Sequence, residues 1–218
     1  MELIVLIFLS IGPAVVWVWY FKRYDRKEPE PTGMLARAFV AGLLAVIPAG
    51  IIEVPLAQYW GQVLSPGARL WLMVLGVGLI EELAKFLAVY FTVYKSSHFD
   101  GPLDGIIYTT TAAFGFAGAE NFLYTYSFGW EIGPLRAIIT SLAHASFSGV
   151  VGFSLGMLRI GAGSPWAVIG GLLAASLLHG VYNFILFDRG LSPLLALVLV
   201  LAVYRYLVVR IRQAQTRS

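Results

Sequence analysis

GLIEELAKFLAVY, the stretch from Gly78 to Tyr90, decides how the rest of the chain is read. It sets Glu81, Glu82 and Lys85 inside an apolar run from about Leu70 to Tyr94. A charged side chain at the centre of a bilayer-spanning helix costs about 2.5–3.5 kcal/mol on insertion scales. Two adjacent carboxylates with a cation in such a run therefore mark a polar site facing the interior of a helix bundle.

The remaining sequence supplies that bundle. Of 218 residues, 59% are hydrophobic and only 12% charged, and the mean hydropathy is +0.79. Ordinary soluble domains carry about twice that share of charge. Apolar runs near or above span length predict an all-α, polytopic transmembrane helical bundle. The ten-residue alternating segments of a membrane barrel are missing. Seven spans are expected: Leu3–Phe21, Met34–Tyr59, Arg69–Tyr94, Asp104–Ser127, Pro134–Leu158, Pro165–Phe187 and Pro193–Val209. The first lacks a basic leader and a cleavage site and reads as a retained helix. The polar connections are short, so residues 1–218 read as one integral-membrane domain.

Basic residues set the orientation. Lys22, Arg23, Arg26, Lys27, Lys95, Arg159, Arg205, Arg210, Arg212 and Arg217 fall on one side, and Arg69, Arg136 and Arg189 on the other. The positive-inside rule then places the N-terminus outside and the C-terminus in the cytoplasm. These charges lie in loops and the tail and suggest membrane topology, with no nucleic-acid partner. Without cysteine, thiol chemistry and thiolate metal sites are excluded. Pro48 and Pro55 interrupt the second span, whose Glu53 reads as a hydrated carboxylate near the outer interface. Gly152 and Gly156, with the small residues of the fourth span, read as close helix packing.

Four spans carry polar candidates: Glu81, Glu82 and Lys85; Glu120 and Asn121; His144; and His179 with Asn183. At ~1.5 Å rise per residue, Glu81 lies ~18 Å, His144 ~15 Å, His179 ~13 Å and Glu120 ~10 Å from the outer helix ends. Shared depth predicts one site. Glu81 and Lys85 are four apart and can pair, which leaves Glu82, turned about 100° away, freer to face water. His179 and Asn183 present an imidazole and an amide on one face. A carboxylate beside an imidazole suits general-base activation of water. Asp100 and Asp104 read as turn and helix-cap residues, and His98 as a solvated loop residue. The zinc-protease HExxH, a pair of intramembrane aspartates and a serine-nucleophile motif are all missing.

In their order, the EExxK of Glu81, Glu82 and Lys85, the DGIIY from Asp104, the GFAGAEN ending at Asn121, His144 and the HGVYN from His179 resemble the PrsW family of intramembrane proteases. The resemblance covers nearly the whole chain and extends distantly to the CAAX-processing proteases and the scaffold subunit of γ-secretase. It implies a multi-pass endopeptidase of the bacterial cytoplasmic membrane. Such an enzyme cleaves a lipid-embedded single-pass substrate, such as an anti-sigma factor, near the outer side. It further implies that Glu81 or Glu82 activates water, that His144 assists, and that His179 and Asn183 stabilise the oxyanion. Lys85, Glu120 and Asn121 are supporting residues. CAAX-type relatives carry EExxxR, so the cation here sits one residue early. If zinc is present, Glu82, His144 and His179 are its expected ligands, but ligands scattered over separate helices favour a site without an obligatory metal. Two other functions fit a buried Glu/Lys/His cluster, a non-catalytic scaffold and an ion-coupled transporter.

Overall fold

The computed structural model describes residues 2–25, 27–60, 62, 65–131 and 133–216, and contains helices but no strand among them. Helix α1 is Glu2–Lys22 and α2 is Thr32–Trp60. Helix α3 is continuous through three pieces, Pro66–Met73, a π-helical turn Val74–Gly78, and Leu79–Thr92. Helix α4 is Pro102–Phe128. Helix α5 joins Gly133–Leu135, a second π turn Arg136–Thr140, and Ser141–Arg159. Helices α6, Pro165–Phe187, and α7, Pro193–Gln215, complete the bundle. Of the basic residues used for topology, Arg26 and Arg217 lie outside the described residues.

Local chemistry explains several starts. Pro66, Pro102, Pro165 and Pro193 each occupy the first helical turn, where a missing N–H costs nothing. The Ser164 and Ser192 hydroxyls accept from the free backbone N–H groups of Ala167 and Leu194. Asp104 accepts from the Asp100 N–H at 3.0 Å, as its position at the head of α4 predicts. Helix α7 runs on past the expected end at Val209, because Leu207, Ile211 and Ala214 continue its buried face.

Helix α4 is the hub. Pro102 to Gly118 is buried without a break, packed on α1, α2 and α5. A helix enclosed this way does not need an apolar surface, and it carries three consecutive threonines. The Thr109 and Thr110 hydroxyls donate to the carbonyls of Gly105 and Ile106, at 2.7 and 2.8 Å. Five helices, α1, α2, α5, α6 and α7, are long and apolar enough to cross a membrane. Helices α3 and α4 are not among them: α3 carries Glu81, Glu82 and Lys85, and the threonines, tyrosines, glycines and Glu120–Asn121 of α4 lower its mean hydropathy. The glycines of α4 and α5 pack backbone to backbone, as the GxxxG spacing suggests: a Cβ on Gly105 would strike Gly152, and one on Gly156 would strike Gly101.

At the bundle end that holds the α1–α2 loop and the tail, Lys27 Nζ reaches the Gln215 carbonyl at 3.4 Å. The loop folds inward: Asp25 accepts from the Glu30 N–H at 3.1 Å, and the Tyr108 hydroxyl donates to Glu30. Burial, reinforced by the Asp104 and Asp25 charges, pushes the Glu30 carboxyl up to about 8, against the pull of the Tyr108 hydrogen bond. The folded state then holds a proton that the unfolded chain releases near pH 4.3. That stability is fully present below about pH 4.3 and is lost as pH rises through about 8. Glu30→Gln should flatten the decline in thermal midpoint of the detergent-solubilised protein between pH 5 and 8 (roughly these limits).

Candidate active site

The site forms where α3, α4, α5 and α6 meet. The close approach of α3 to α6 depends on two glycines: a Cβ on Gly78 would overlap the Ser176 carbonyl, and one on Gly180 would overlap the Val74 backbone. This contact lies at the π turn of α3, one turn before the glutamate pair. It brings His179, the neighbour of Gly180, against Glu82. The second π turn, in α5, precedes His144 in the same way. Such turns recur at functional sites because one extra residue re-aims the helix beyond it.

Glu81, Glu82 and Lys85 are 3%, 1% and 1% exposed, so none is solvated from outside. Glu82 is saturated. Its Oε1 accepts from Lys85 Nζ at 2.6 Å and lies 3.0 Å from His179 Nδ1, and its Oε2 accepts from the Ser148 hydroxyl at 2.7 Å. Glu81 is different: its Oε2 is buried and makes no hydrogen bond. That oxygen lies 3.6 Å from Lys85 Nζ, 3.7 Å from His144 Nδ1 and 3.7 Å from His179 Nε2.

The partners assign the ring protons. The Lys85 ammonium can only donate, so His144 Nδ1, 3.0 Å away, accepts. A neutral His144 then carries its proton on Nε2, which faces Glu120 Oε2 at 3.0 Å. Glu120 in turn lies 3.2 Å from Arg136, whose guanidinium covers the Tyr124 ring. His179 donates Nδ1–H to ionised Glu82 and turns an unprotonated Nε2 toward Glu81. Lys85 also sits 4.7 Å above the Phe116 ring.

A partly open cavity of about 400 Å³ adjoins the cluster, within the range of small-ligand sites. Glu81, Glu120 and Asn183 line it, with Phe116, and so does Glu53 from α2. Asn121 is buried beside the site and donates to Ser141 at 3.1 Å.

The candidate residues from four helices thus converge, and Lys85 lies within ion-pair range of both glutamates, 3.6 Å from Glu81 as its spacing suggested but only 2.6 Å from Glu82. Spacing suggested that Lys85 would pair with Glu81 and leave Glu82 to the water. Positions three and four apart are both neighbours on a helix, and His179 and Ser148 decide between them by fixing Glu82 as the ion-pair partner. Glu81 faces the cavity. The expected metal set changes for the same reason. The atoms that lie within 4.8 Å of one another belong to Glu81, His144 and His179, while both Glu82 oxygens are engaged. Glu53, read as an interfacial carboxylate, also lines the cavity. Ser148 and Arg136 were overlooked; the i,i+4 spacing of Ser148 from His144 was the available signal for the first.

A helical membrane bundle with a buried carboxylate–imidazole cluster beside a mostly apolar cavity is compatible with a membrane-embedded hydrolase. Comparison with known proteins narrows the class. The PrsW-protease family model, described as PrsW family intramembrane metalloprotease, matches residues 30–209. Protease PrsW of Geobacillus kaustophilus is 36% identical over 188 residues, 84% of this chain and 80% of that protein. Protease PrsW of Bacillus subtilis is 33% identical over 180 residues, 81% and 80% of the two chains. Protease PrsW of Oceanobacillus iheyensis is 31% identical over 202 residues, 90% and 92%. The chain belongs to the PrsW family of intramembrane metalloproteases and is a multi-pass membrane peptidase. No solved structure matches it.

Lys85→Met would leave Glu82 ionised and buried with its cation removed. Breaking a buried pair in this way costs about 3–5 kcal/mol. The variant should show a clearly lower unfolding midpoint in detergent, whereas Lys95→Met, on an exposed loop, should unfold like the unaltered protein.

Proposed function

We propose that the chain hydrolyses a peptide bond of a single-pass membrane protein, such as an anti-sigma factor, near the outer side of the cytoplasmic membrane. The observation that carries this reading is the unpartnered Glu81 oxygen, ringed by three nitrogens at the edge of the cavity. In this reading residues 1–218 act as one catalytic domain of seven spans, with the N-terminus outside. The contacts of Lys27 with Gln215 and of Arg159 with Phe99, at 3.4 and 2.9 Å, support it by joining the basic loops and tail at one end.

Catalytic zinc sites combine about three nitrogen and oxygen ligands with one open position. Glu81, His144 and His179 offer a carboxylate and two imidazoles from three helices, and the unsatisfied Glu81 oxygen and bare His179 Nε2 are the donors such a site needs. The two free donors fit a divalent metal, and His144 would complete the set of three by giving up the lone pair that now accepts from Lys85. The scatter of ligands along the sequence, which favoured a metal-free site, loses its force once the fold gathers them. A bound metal would supply a Lewis acid that lowers the pKa of water and polarises the scissile carbonyl.

The protein's own groups do the positioning. Glu82 accepts the His179 Nδ1 proton and so keeps Nε2 free, as outer partners of ligating histidines do. Lys85 neutralises Glu82 and leaves the net charge around Glu81 low. Arg136 and Glu120 hold His144 from the cavity side. Since His179 has no proton on Nε2 to donate, the Asn183 amide is the better-placed donor to a developing oxyanion. The apolar cavity wall receives an unwound stretch of substrate and excludes bulk water.

Two experiments test this. Reconstituted with a single-pass substrate, Glu81→Gln should lower cleavage more than about 100-fold, and the purified variant should lose the stoichiometric metal present in the unaltered protein. Unaltered cleavage by Glu81→Gln would sink the reading. Gly50 lines the cavity, and a Cβ there would meet nothing within 4 Å. Gly50→Leu should therefore fold and keep its metal yet raise KM several-fold, by occupying space meant for substrate.

A further inference from the structure

Three carboxylates line the cavity, and two of them are committed. Glu81 belongs with His144 and His179, and Glu120 is engaged by Arg136 and His144 at 3.2 and 3.0 Å. The third, Glu53, stands alone among the described residues. Its Oε1 is buried and has no hydrogen-bond partner. A buried carboxylate oxygen with no donor is costly, and a helix free to place any residue on this face would place an apolar one.

The position of Glu53 on α2 is specific. Val46, Ala49, Gly50, Glu53 and Leu56 form one stripe and line the cavity together. Ile51 and Ile52, on the intervening positions, are 70% and 53% exposed. The carboxylate therefore turns away from the lipid-facing side of its helix and toward the space that Glu81 borders. Pro55 follows two residues later and Pro48 precedes it, inside the same helix. Neither proline can donate to the ladder, so α2 is free to depart from a straight path around Glu53.

Hydrolysis of an amide needs a group that takes a proton from the attacking water and one that gives a proton to the leaving nitrogen. If Glu81 is spent as a ligand and Glu82 as an ion-pair partner, neither glutamate of the EE pair is available. We propose that Glu53 is the proton-carrying catalytic residue of this peptidase, on the reading of the Glu81–His144–His179 site given above. As water oxygen bonds to the scissile carbonyl carbon, one water O–H bond breaks and its proton moves to the Glu53 carboxylate. When the C–N bond breaks, its electron pair stays on nitrogen, and Glu53 returns the proton to that nitrogen. Glu53 ends as it began, and the products are one carboxylic acid and one amine.

The test compares Glu53→Gln, Glu53→Ala and Glu81→Gln in detergent or liposomes, with kcat, KM, bound metal and thermal midpoint measured for each. Glu53→Gln should keep the metal and the folded midpoint and hold KM within about twofold, while kcat falls about 10²–10⁴-fold, the usual contribution of acid–base catalysis. Formate, a carboxylate small enough to enter the space vacated in Glu53→Ala, should restore part of kcat in that variant and none in Glu81→Gln. Retention of kcat by Glu53→Gln, a loss expressed only in KM, or loss of metal together with activity would each overturn the assignment. The two readings separate cleanly: Glu81→Gln reports on the ligand cluster through metal content, and Glu53→Gln reports on proton transfer with that cluster intact.

Discussion

The saturated carboxylate of Glu82 is the constraint on which the site depends. It is 1% exposed, and its two oxygens receive a lysine from its own helix, a histidine from α6 and a serine from α5. The lysine contributes an ion pair, and the histidine and serine contribute hydrogen bonds. Together they turn a charge that would be prohibitive in a membrane interior into the pin that holds three helices in register. The geometry is possible only because Gly78 and Gly180 let α3 and α6 approach closely. A side chain at either position would move His179 away from Glu82 and free its ring from the assigned protonation.

Adjacent glutamates can then differ completely in role. Glu82 is buried in donors and has no capacity left for chemistry. Glu81 has nitrogens around it at 3.6–3.7 Å, too far for hydrogen bonds and suited to a ligand placed between them. The asymmetry follows from which neighbouring helix each faces. Lys85 reinforces it by staying 2.6 Å from Glu82 and 3.6 Å from Glu81. One glutamate builds the site and the other serves it.

Helix number, most helix starts and the convergence of Glu81, Glu120, His144 and His179 were legible in the sequence, because span length and depth are linear quantities. A count of residues from each helix end suffices to show that these side chains share a level. The facing of each side chain was not legible. Spacings of three and four are both compatible with contact to Lys85, and only His179 and Ser148, from other helices, choose between them. The π turns at Val74–Gly78 and Arg136–Thr140 carry no residue pattern that distinguishes them from α-helix. The depth of Glu53 suggested an interfacial carboxylate but not that it lines the cavity; its direction depends on what the neighbouring helices leave open.

Composition and chemistry meet in α3 and α4. These two helices fall short of the apolar character of the other five, and they supply Glu81, Glu82, Lys85 and Glu120. A catalytic helix in a membrane carries polar groups that disqualify it as a lipid-facing helix, so other helices must shield it. Helix α4 is enclosed along most of its length, and α3 turns its ionisable residues inward while Leu75, Leu83, Leu87 and Phe91 stay exposed on its other side. Helix α2 completes the wall and contributes Glu53, whose buried Oε1 makes no hydrogen bond. Among the described residues, helices α1 and α7 bring none to the cavity. Their part is to let a central helix remain polar enough for water chemistry inside a hydrocarbon layer.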